Sequence, residues 1–211
     1  MINLIPKAMP KDKRLLVGIL LGVFVVGGVF GFVYETLFYL INNGVWTRRG
    51  TTFGPFIQLY GYGGLILVAT CWRLRKKPWA VFLVSGAVCG LLELVVGWAF
   101  YTFGNGFRSW DYNTEIWNWG NIGGFVCLRS VLFFALSGVI LMYVVLPLLL
   151  WLTRKMTPKA FLILMGTLAG IALLDCLYND ILVNIFPALP RALFVYRDSG
   201  WYGIVAGVDQ L

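Results

Sequence analysis

The stretch LLVGILLGVFVVGGVFGFVYETLFYLI, residues 15–41, decides the fold class of this chain. It carries one charged side chain, that of Glu35. At ~1.5 Å per residue, a helix of this length measures about 40 Å, which exceeds the ~30 Å hydrocarbon core of a bilayer. The stretch therefore predicts a membrane-spanning helix. It is also too long for a signal peptide and lacks a small-x-small cleavage site, so it is predicted to be retained.

Four more apolar runs predict spans at about residues 56–72, 79–103, 122–152 and 160–186. The chain of 211 residues is 60% hydrophobic and 12% charged, whereas a soluble domain carries about 25% charged residues. No segment between the runs is long enough to form a soluble domain. The sequence predicts an all-α, multi-pass protein of the cell membrane with about five transmembrane helices. Residues 1–211 are expected to form a single membrane domain, with outer loops at 42–55 and 104–121 and an interfacial tail at 188–211.

Positive charges are distributed unevenly between the two sides. If the N-terminus is cytoplasmic, eleven fall in inner segments: Lys7, Lys11, Lys13, Arg14, Arg73, Arg75, Lys76, Lys77, Arg154, Lys155 and Lys159. Five fall in outer segments: Arg48, Arg49, Arg108, Arg191 and Arg197. Cytoplasmic loops carry an excess of Lys and Arg, so the N-terminus is predicted inside and the C-terminus outside. The net charge of +8 is then a topology signal, and nucleic acid is not an expected partner.

Several chemistries are excluded or disfavoured by composition. The chain has no histidine, which excludes a Ser-His-Asp triad and imidazole metal ligands. Its four cysteines lie in or beside apolar runs without metal-ligand spacing, so neither a disulfide framework nor a metal site is expected. No G-x-x-x-x-G-K-[ST] motif is present, so use of ATP would require another chain. We expect no cofactor, assign no catalytic residue, and leave open whether the protein is an enzyme.

Five charged residues lie within or at the ends of the predicted spans: Glu35, Glu93, Arg129, Asp175 and Asp180. A charge inside a bilayer costs ~2.5–3.5 kcal/mol, so such residues seldom persist without a partner or a role. Counting ~1.5 Å per residue from the cytoplasmic helix ends places Glu93 about 22 Å and Asp175 about 24 Å deep. The other three lie at about 31–34 Å. All five are predicted in the outer half of the membrane, which indicates a polar pocket near the outer leaflet.

Structural explanations remain open for these residues. Glu35 and Arg129 can reach the outer interface or pair with each other, and Asp180 has a similar alternative. Glu93 and Asp175 are too deep for that, so they form either a buried structural pair or a proton, cation or substrate site.

Glycines precede three of the acids along the spans. The patterns are Gly27-x3-Gly31-x3-Glu35, Gly86-x3-Gly90-x2-Glu93 and Gly166-x3-Gly170-x4-Asp175. They predict close helix packing through small residues rather than a true repeat. On the third span the glycines and Glu93 share one face, so Glu93 is predicted to face a neighbouring helix.

The two outer loops carry arginine and aromatic residues that are candidates for the roof of the pocket. The candidates are Arg48, Arg49, Arg108, Trp110, Asp111 and Tyr112. Arginines beside backbone amides suit phosphate or carboxylate recognition. An aromatic belt with interfacial arginines explains the same residues equally well.

The order of these motifs resembles the membrane family known as the putative ABC-transporter type IV family. The matching elements, spread over about residues 28–140, are Arg49-Gly50, Gly54-Pro55, Tyr60-Gly61-Tyr62-Gly63, Glu93, Trp110-Asp111-Tyr112 and Asn121-Ile122 through Arg129-Ser130. Asn113 and Gly123-Gly124 depart from the family pattern. The resemblance implies a permease-like role and carries Arg49, Gly54, Pro55, Tyr60, Gly61, Glu93, Trp110, Asp111, Tyr112 and Arg129 as site candidates.

Three functions are consistent with these features. The first is a small transporter or permease-like subunit in which Glu35, Tyr60, Glu93, Asp175, Asp180 and the loop residues bind a substrate or ion. Five helices are few for alternating access, so a homodimer or a separate ATPase subunit is expected beside membrane lipids. The second is a membrane enzyme acting on a lipid or lipid-linked phosphate at the outer leaflet. The third is a non-catalytic scaffold or sensor.

Overall fold

The computed structural model describes residues 8–199 and 204–205. Helices account for most of them: α1 (Lys13–Asn43), α2 (Gln58–Cys71), α3 (Pro78–Phe103), α4 (Leu128–Leu152), α5 (Pro158–Ile185) and α6 (Ala192–Ser199). A 3₁₀ turn, Trp72–Leu74, follows α2. π-Helical turns occur in α4 at Leu141–Val145 and in α5 at Leu177–Leu182. The predicted all-α class is confirmed.

Within the described residues, α1, α3, α4 and α5 are long and apolar enough to cross a membrane. Helix α2 has 14 residues, which is about 21 Å at ~1.5 Å per residue and less than a bilayer core. The chain is a polytopic membrane protein of about five helices, as predicted, and α2 is its short member. The orientation with the N-terminus inside stays a prediction.

Large apolar side chains lie on the outside of these helices. Trp79 and Leu91 of α3 are 65% and 61% exposed, and Leu174 of α5 is 66% exposed. Continuous exposed apolar surface of this kind marks a membrane or protein contact.

The helix ends follow from local capping. Asp12 accepts a hydrogen bond from the Arg14 amide at 2.8 Å and so begins α1, which ends at Gly44 in the left-handed conformation. Helix α5 begins after Thr157, whose hydroxyl accepts from the Ala160 amide at 3.2 Å. The predicted ends of the spans lie within two residues of those observed, with one exception.

The exception is the start of the fourth span, which was predicted at about residue 122 and is wrong. Helix α4 begins at Leu128. Gly123 and Gly124 have φ values of 61° and 82°, which end any helical path, and Ile122 and Val126 pair across the turn they make. The apolar side chains of this turn mimic the start of a span in the sequence, whereas its backbone is that of a loop.

The described chain divides into two compact units. The first, which we call the hairpin unit, comprises Ile66–Leu148 and contains α3 packed against α4. Gly86 of α3 faces α4 so closely that a Cβ on it would lie 3.2 Å from the Cβ of Ala135. Gly90 likewise meets Val131 of α4. The predicted small-residue packing is confirmed for this helix.

The second unit, which we call the terminal unit, comprises residues 8–65, 149–199 and 204–205 of the described chain. Helix α1 packs against α5 in it, around a core of four buried residues, Phe24, Phe56, Ala169 and Cys176. The prediction of one membrane domain for residues 1–211 stays a prediction.

The predicted close packing through glycines is found on α1 but not on α5. A Cβ on Gly27 would lie 2.8 Å from the backbone oxygen of Tyr60, so the predicted close packing is confirmed on α1. Gly166 and Gly170 of α5 have no described atom within 4 Å of such a Cβ. The prediction that this pair serves close packing is therefore wrong within the described residues.

A short parallel pairing of backbone segments joins Thr47–Arg48 (β1) to Ile204–Val205 (β2). Residues 188–199 of the predicted interfacial tail form a turn followed by α6. The Gly200-Trp201-Tyr202-Gly203 segment, predicted to be interfacial, lies outside the described residues.

Candidate functional site

In the hairpin unit, the carboxylate of Glu93 lies at the interface of α3 with α4. The Ser130 hydroxyl donates to Oε2 of Glu93 at 2.7 Å, and the Tyr112 hydroxyl donates to Oε1. Ser130 lies in the first turn of α4, and its Oγ accepts from the Cys127 amide at 3.3 Å. The prediction that Glu93 faces a neighbouring helix is confirmed.

An ion pair lies beside this carboxylate. Nη2 of Arg129 donates to Oε2 of Glu115, and the two side chains are 12% and 5% exposed. The guanidinium also stands 5.3 Å from the ring centroid of Tyr112, within range of a cation–π contact. The alternative in which Arg129 pairs with Glu35 is wrong, because the carboxylate partner of Arg129 is Glu115.

Tyr112 connects the two carboxylates electrostatically. Burial raises the pKa of its hydroxyl well above the ordinary value of about 10, and the charges of Glu93 and Glu115 raise it further. The phenol therefore keeps its proton and remains a hydrogen-bond donor to Glu93. The resulting network contains two carboxylates and one guanidinium.

The rest of the loop between α3 and α4 is held by its own arginine and tryptophan. Arg108 donates to the Gly123 carbonyl at 2.8 Å and lies 3.6 Å from the carboxylate of Asp111. The indole of Trp110 donates to the Phe125 carbonyl at 2.8 Å. These contacts fold the loop back on itself and so position Tyr112 over Glu93.

In the terminal unit, Asp175 binds the loop between α1 and α2 through backbone amides. The amides of Phe53 and Gly54 donate to its two carboxylate oxygens at 2.9 and 2.7 Å. Asn179, one turn further along α5, donates to Oδ1 at 2.8 Å. Two of the three hydrogen bonds come from the loop and fix it against α5, and the third, from Asn179, orients the carboxylate.

Asp180 binds the same loop through side chains. The Thr51 hydroxyl donates to Oδ1 and the Gln58 amide to Oδ2, both at 2.7 Å. Asn184, one turn further on, donates to the backbone oxygen of Asp180 at 2.8 Å. The π-helical turn of α5 thus turns Asp175 and Asp180 towards one segment of chain.

Glu35 accepts hydrogen bonds from both sides of that loop. Nε of Arg49 donates to Oε2 at 3.0 Å and the hydroxyl of Tyr60 donates to Oε1 at 3.1 Å. The guanidinium of Arg49 lies 3.9 Å from the ring centroid of Tyr39. Both Glu35 and Arg49 are about one-fifth exposed, so the pair is largely removed from solvent.

Arg48 is 1% exposed and binds backbone oxygens of its own loop. Its guanidinium donates to the carbonyls of Gly50 at 3.0 Å, Phe53 at 3.2 Å and Gly54 at 3.3 Å, and also to that of Thr52. It stands 4.1 Å from the ring of Tyr196. The side chain is therefore the internal support of the loop.

The structure places the predicted site residues in two groups, one in each unit. The hairpin unit holds Glu93, Arg108, Trp110, Asp111, Tyr112 and Arg129. The terminal unit holds Glu35, Arg48, Arg49, Tyr60, Asp175 and Asp180. Within each unit these side chains hold an interhelical loop against helices. Their role in binding a substrate or ion stays a prediction.

If the protein were an enzyme acting on a lipid phosphate, arginine side chains would be expected to bind the phosphate. In the structure these arginines bind groups of the protein itself. Arg48 binds carbonyls and Arg108 binds the Gly123 carbonyl. Arg49 binds Glu35 and Arg129 binds Glu115. The contacts of the described residues therefore give that alternative no support.

Comparison with known proteins identifies the family of the chain. A family model described as putative ABC-transporter type IV matches residues 22–179, about three quarters of the sequence. The chain belongs to this family. No curated protein and no solved structure matches the chain. The predicted resemblance is confirmed, and the family match extends it over most of α1 and into α5.

Reasoning from the sequence missed three partners in this member of the ABC-transporter type IV family: Thr51, Gln58 and Glu115. Glu115 was the easiest to find, since it is an acid in a loop of aromatic residues that follows a span containing another acid. Thr51 and Gln58 are neutral and give no comparable signal. Their role appears only when the loop is placed against α5.

Proposed function

We propose that this chain is a permease-like subunit of a transport system in the cell membrane, moving a small polar or amphipathic solute. Its membership of an ABC-transporter-type family supports this role. The observation that carries the proposal is the hydrogen-bonded network of Glu93 at the α3–α4 interface. A carboxylate within a span is costly, and its retention there favours a functional role.

Charge within this network suggests what Glu93 does. The negative charges of Glu93 and Glu115 both raise the pKa of Tyr112. Arg129 supplies one positive charge. Buried charges are stable when opposite charges balance them. One further proton or cation would therefore neutralise this network of two carboxylates and one guanidinium. In this proposal Glu93 takes up that cation when the solute is bound, and the loop holding Tyr112 moves as it does so.

The remaining predicted residues belong to the proposal as a second set of contacts for the solute. Asp175, Asp180 and Glu35 hold the loop between α1 and α2, which in the predicted orientation lies at the outer surface. With no ATP-binding loop in its sequence, the chain is expected to work with a separate ATPase subunit or as a homodimer.

The test is transport by purified protein in liposomes adsorbed on a solid-supported membrane. Amino acids, organic phosphates and quaternary amines are applied in turn, and the transient current is recorded. At least one class should give a current with the wild type that is lost in Glu93→Gln. The amide keeps one acceptor oxygen, for either Tyr112 or Ser130, and presents an NH₂ group to the other hydroxyl, but it cannot hold a proton or a charge.

The matched control is Asp12→Asn, which makes the same chemical change at an exposed helix cap. It should leave the current unchanged. Equal currents in the wild type and Glu93→Gln would contradict the role of Glu93. If the purified chain gives no current, the complex isolated from native membranes should hydrolyse ATP and restore it, and failure of both would contradict transport.

A further inference from the structure

The terminal unit contains a half-open cavity of ≈ 200 Å³ beside the π-helical turn of α5. Six residues line it: Thr51, Asn179, Asp180, Asn184, Arg191 and Leu193. At about 30 Å³ per water molecule it has room for several waters, and so for a group of comparable size. The lining combines one carboxylate and one guanidinium with three neutral hydrogen-bonding side chains.

Both charged groups have capacity left for a ligand. The carboxylate of Asp180 accepts one hydrogen bond at each oxygen, from Thr51 and from Gln58, and each oxygen can accept another. Arg191 donates through Nη2 to Asn184 at 3.0 Å, which occupies one of its five N–H groups. A ligand with a cation at one end and an anion at the other would satisfy both.

The position of the cavity indicates where such a ligand comes from. Asp180 and Asn184 lie in the last two turns of the span, and Arg191 follows the turn that ends it. The end of a membrane span lies at the level of the lipid headgroups. A cavity at this level is open to a headgroup whether the end in question faces the cytoplasm or the outside.

We propose that this cavity binds a primary amine joined to a phosphate, as in the headgroup of an aminophospholipid, with the phosphate on Arg191 and the ammonium on Asp180. Arginine suits phosphate because its planar group donates two parallel hydrogen bonds. A primary ammonium has three N–H donors for Asp180 and its neighbours. The site shares Asp180 with the proposed solute contacts, but its test does not depend on transport, since a lipid can bind whether or not a solute moves.

The lining also predicts discrimination among headgroups. Quaternary ammonium groups are recognised by aromatic cages, and no aromatic ring is among the described residues that line the cavity. A choline headgroup has no N–H group to donate to Asp180. An anionic glycerol headgroup would bring its phosphate to Arg191 but would place no positive charge at Asp180.

The test is native mass spectrometry of the full-length protein in detergent, titrated with phosphatidylethanolamine, phosphatidylcholine and phosphatidylglycerol of identical acyl chains. We expect about tenfold tighter binding of phosphatidylethanolamine, the ratio for one good charge-assisted contact. Arg191→Gln should remove most of this binding. Arg73→Gln, the matched change at an exposed arginine that does not line the cavity, should not.

Asp180→Asn should abolish the preference for phosphatidylethanolamine over phosphatidylcholine. If that variant does not fold, Arg191→Gln and Arg191→Glu carry the test, since Arg191 lies beyond the span. Equal affinity for the three lipids, or equal effects of Arg191→Gln and Arg73→Gln, would overturn the proposal.

Soluble phosphoethanolamine distinguishes the two sources of this chemistry. A lipid site should bind it weakly, so that millimolar amounts leave the lipid adduct in place. Tight binding of the soluble compound that depends on Arg191 would support the cavity but assign it to a solute. Binding of neither compound would overturn the proposal.

Discussion

The backbone amide of Gly54 donates a hydrogen bond of 2.7 Å to the carboxylate of Asp175. The two residues are 121 positions apart in the chain, and the bond ties the loop between α1 and α2 to the last span. A Cβ on residue 54 would lie 3.3 Å from the same carboxylate oxygen, so a glycine permits the approach. The Gly-Pro motif of this family is thus, in this chain, a carboxylate-binding turn.

Replacing Asp175 with Asn should loosen this loop. One of the two amides, of Phe53 or Gly54, would then face an NH₂ group instead of an acceptor. The expected loss is about 1–3 kcal/mol, the range for a hydrogen bond to a charged group. It can be measured by denaturant unfolding in micelles and by trypsin cleavage after Arg49, which should become faster. Asp12→Asn is the control, and equal cleavage rates in the two variants would contradict the role of Asp175.

Two glycines of α2 should respond oppositely to alanine. A Cβ on Gly61 would lie 2.7 Å from the backbone oxygen of Phe24, whereas one on Gly63 meets no described atom within 4 Å. Gly61→Ala should therefore separate α2 from α1 and lower the thermal unfolding temperature. Gly63→Ala should leave it unchanged or raise stability by up to ~1 kcal/mol, because alanine is the better helix former. Similar unfolding temperatures for the two variants would disprove the close approach.

The ion pair of Arg129 with Glu115 should behave as a buried pair. Either single change, Arg129→Gln or Glu115→Gln, leaves an uncompensated charge and should cost about 3–5 kcal/mol. The double variant should recover part of that loss, because both charges are then absent. Unfolding of the four proteins gives the coupling energy as a double-mutant cycle. Additive losses would show that the two side chains do not interact.

Tyr112 should give the protein an alkaline instability. Its pKa is raised in the folded chain, whereas in the unfolded chain it ionises at about pH 10. Above that pH the unfolded state releases the proton and the folded state retains it, so stability falls as pH rises. Tyr112→Phe should lose stability less steeply than the wild type between about pH 10 and 12.

The same variant should be less stable than the wild type near neutral pH, since Glu93 loses a donor. The two stability curves should therefore converge as the pH increases. Tyr62→Phe, which changes a tyrosine that is 49% exposed, is the control for general effects of tyrosine ionisation. Parallel curves for the wild type and Tyr112→Phe would contradict the raised pKa.

The sequence predicted the spans because length and hydropathy are local properties. It failed at Ile122, where apolar residues fill a loop turn made by Gly123 and Gly124. Periodicity correctly placed Glu93 towards another helix, since the angle between residues on one helix is constant. The same reasoning failed for the Gly166 and Gly170 pair, because a shared face does not specify what packs against it.

The candidate site was predicted as a set of residues but not as a set of contacts. The cost of charge in a bilayer singles out Glu35, Glu93 and Asp175 in the sequence, because that cost depends only on residue type and depth. The cost of burying a charge does not specify its partner, so the sequence did not reveal that Asp175 binds the amides of a loop more than 100 residues away.

By itself, the sequence determined that this chain is a membrane protein, where its long apolar helices lie and which charges they carry. These are consequences of apolar length and of the free energy of burying charge. Only the tertiary structure decided that Gly54 pairs with Asp175 and Glu115 with Arg129. Such pairs depend on the path of the loops between the helices, and that path is selected by the few hydrogen bonds that bury polar groups without leaving them unsatisfied.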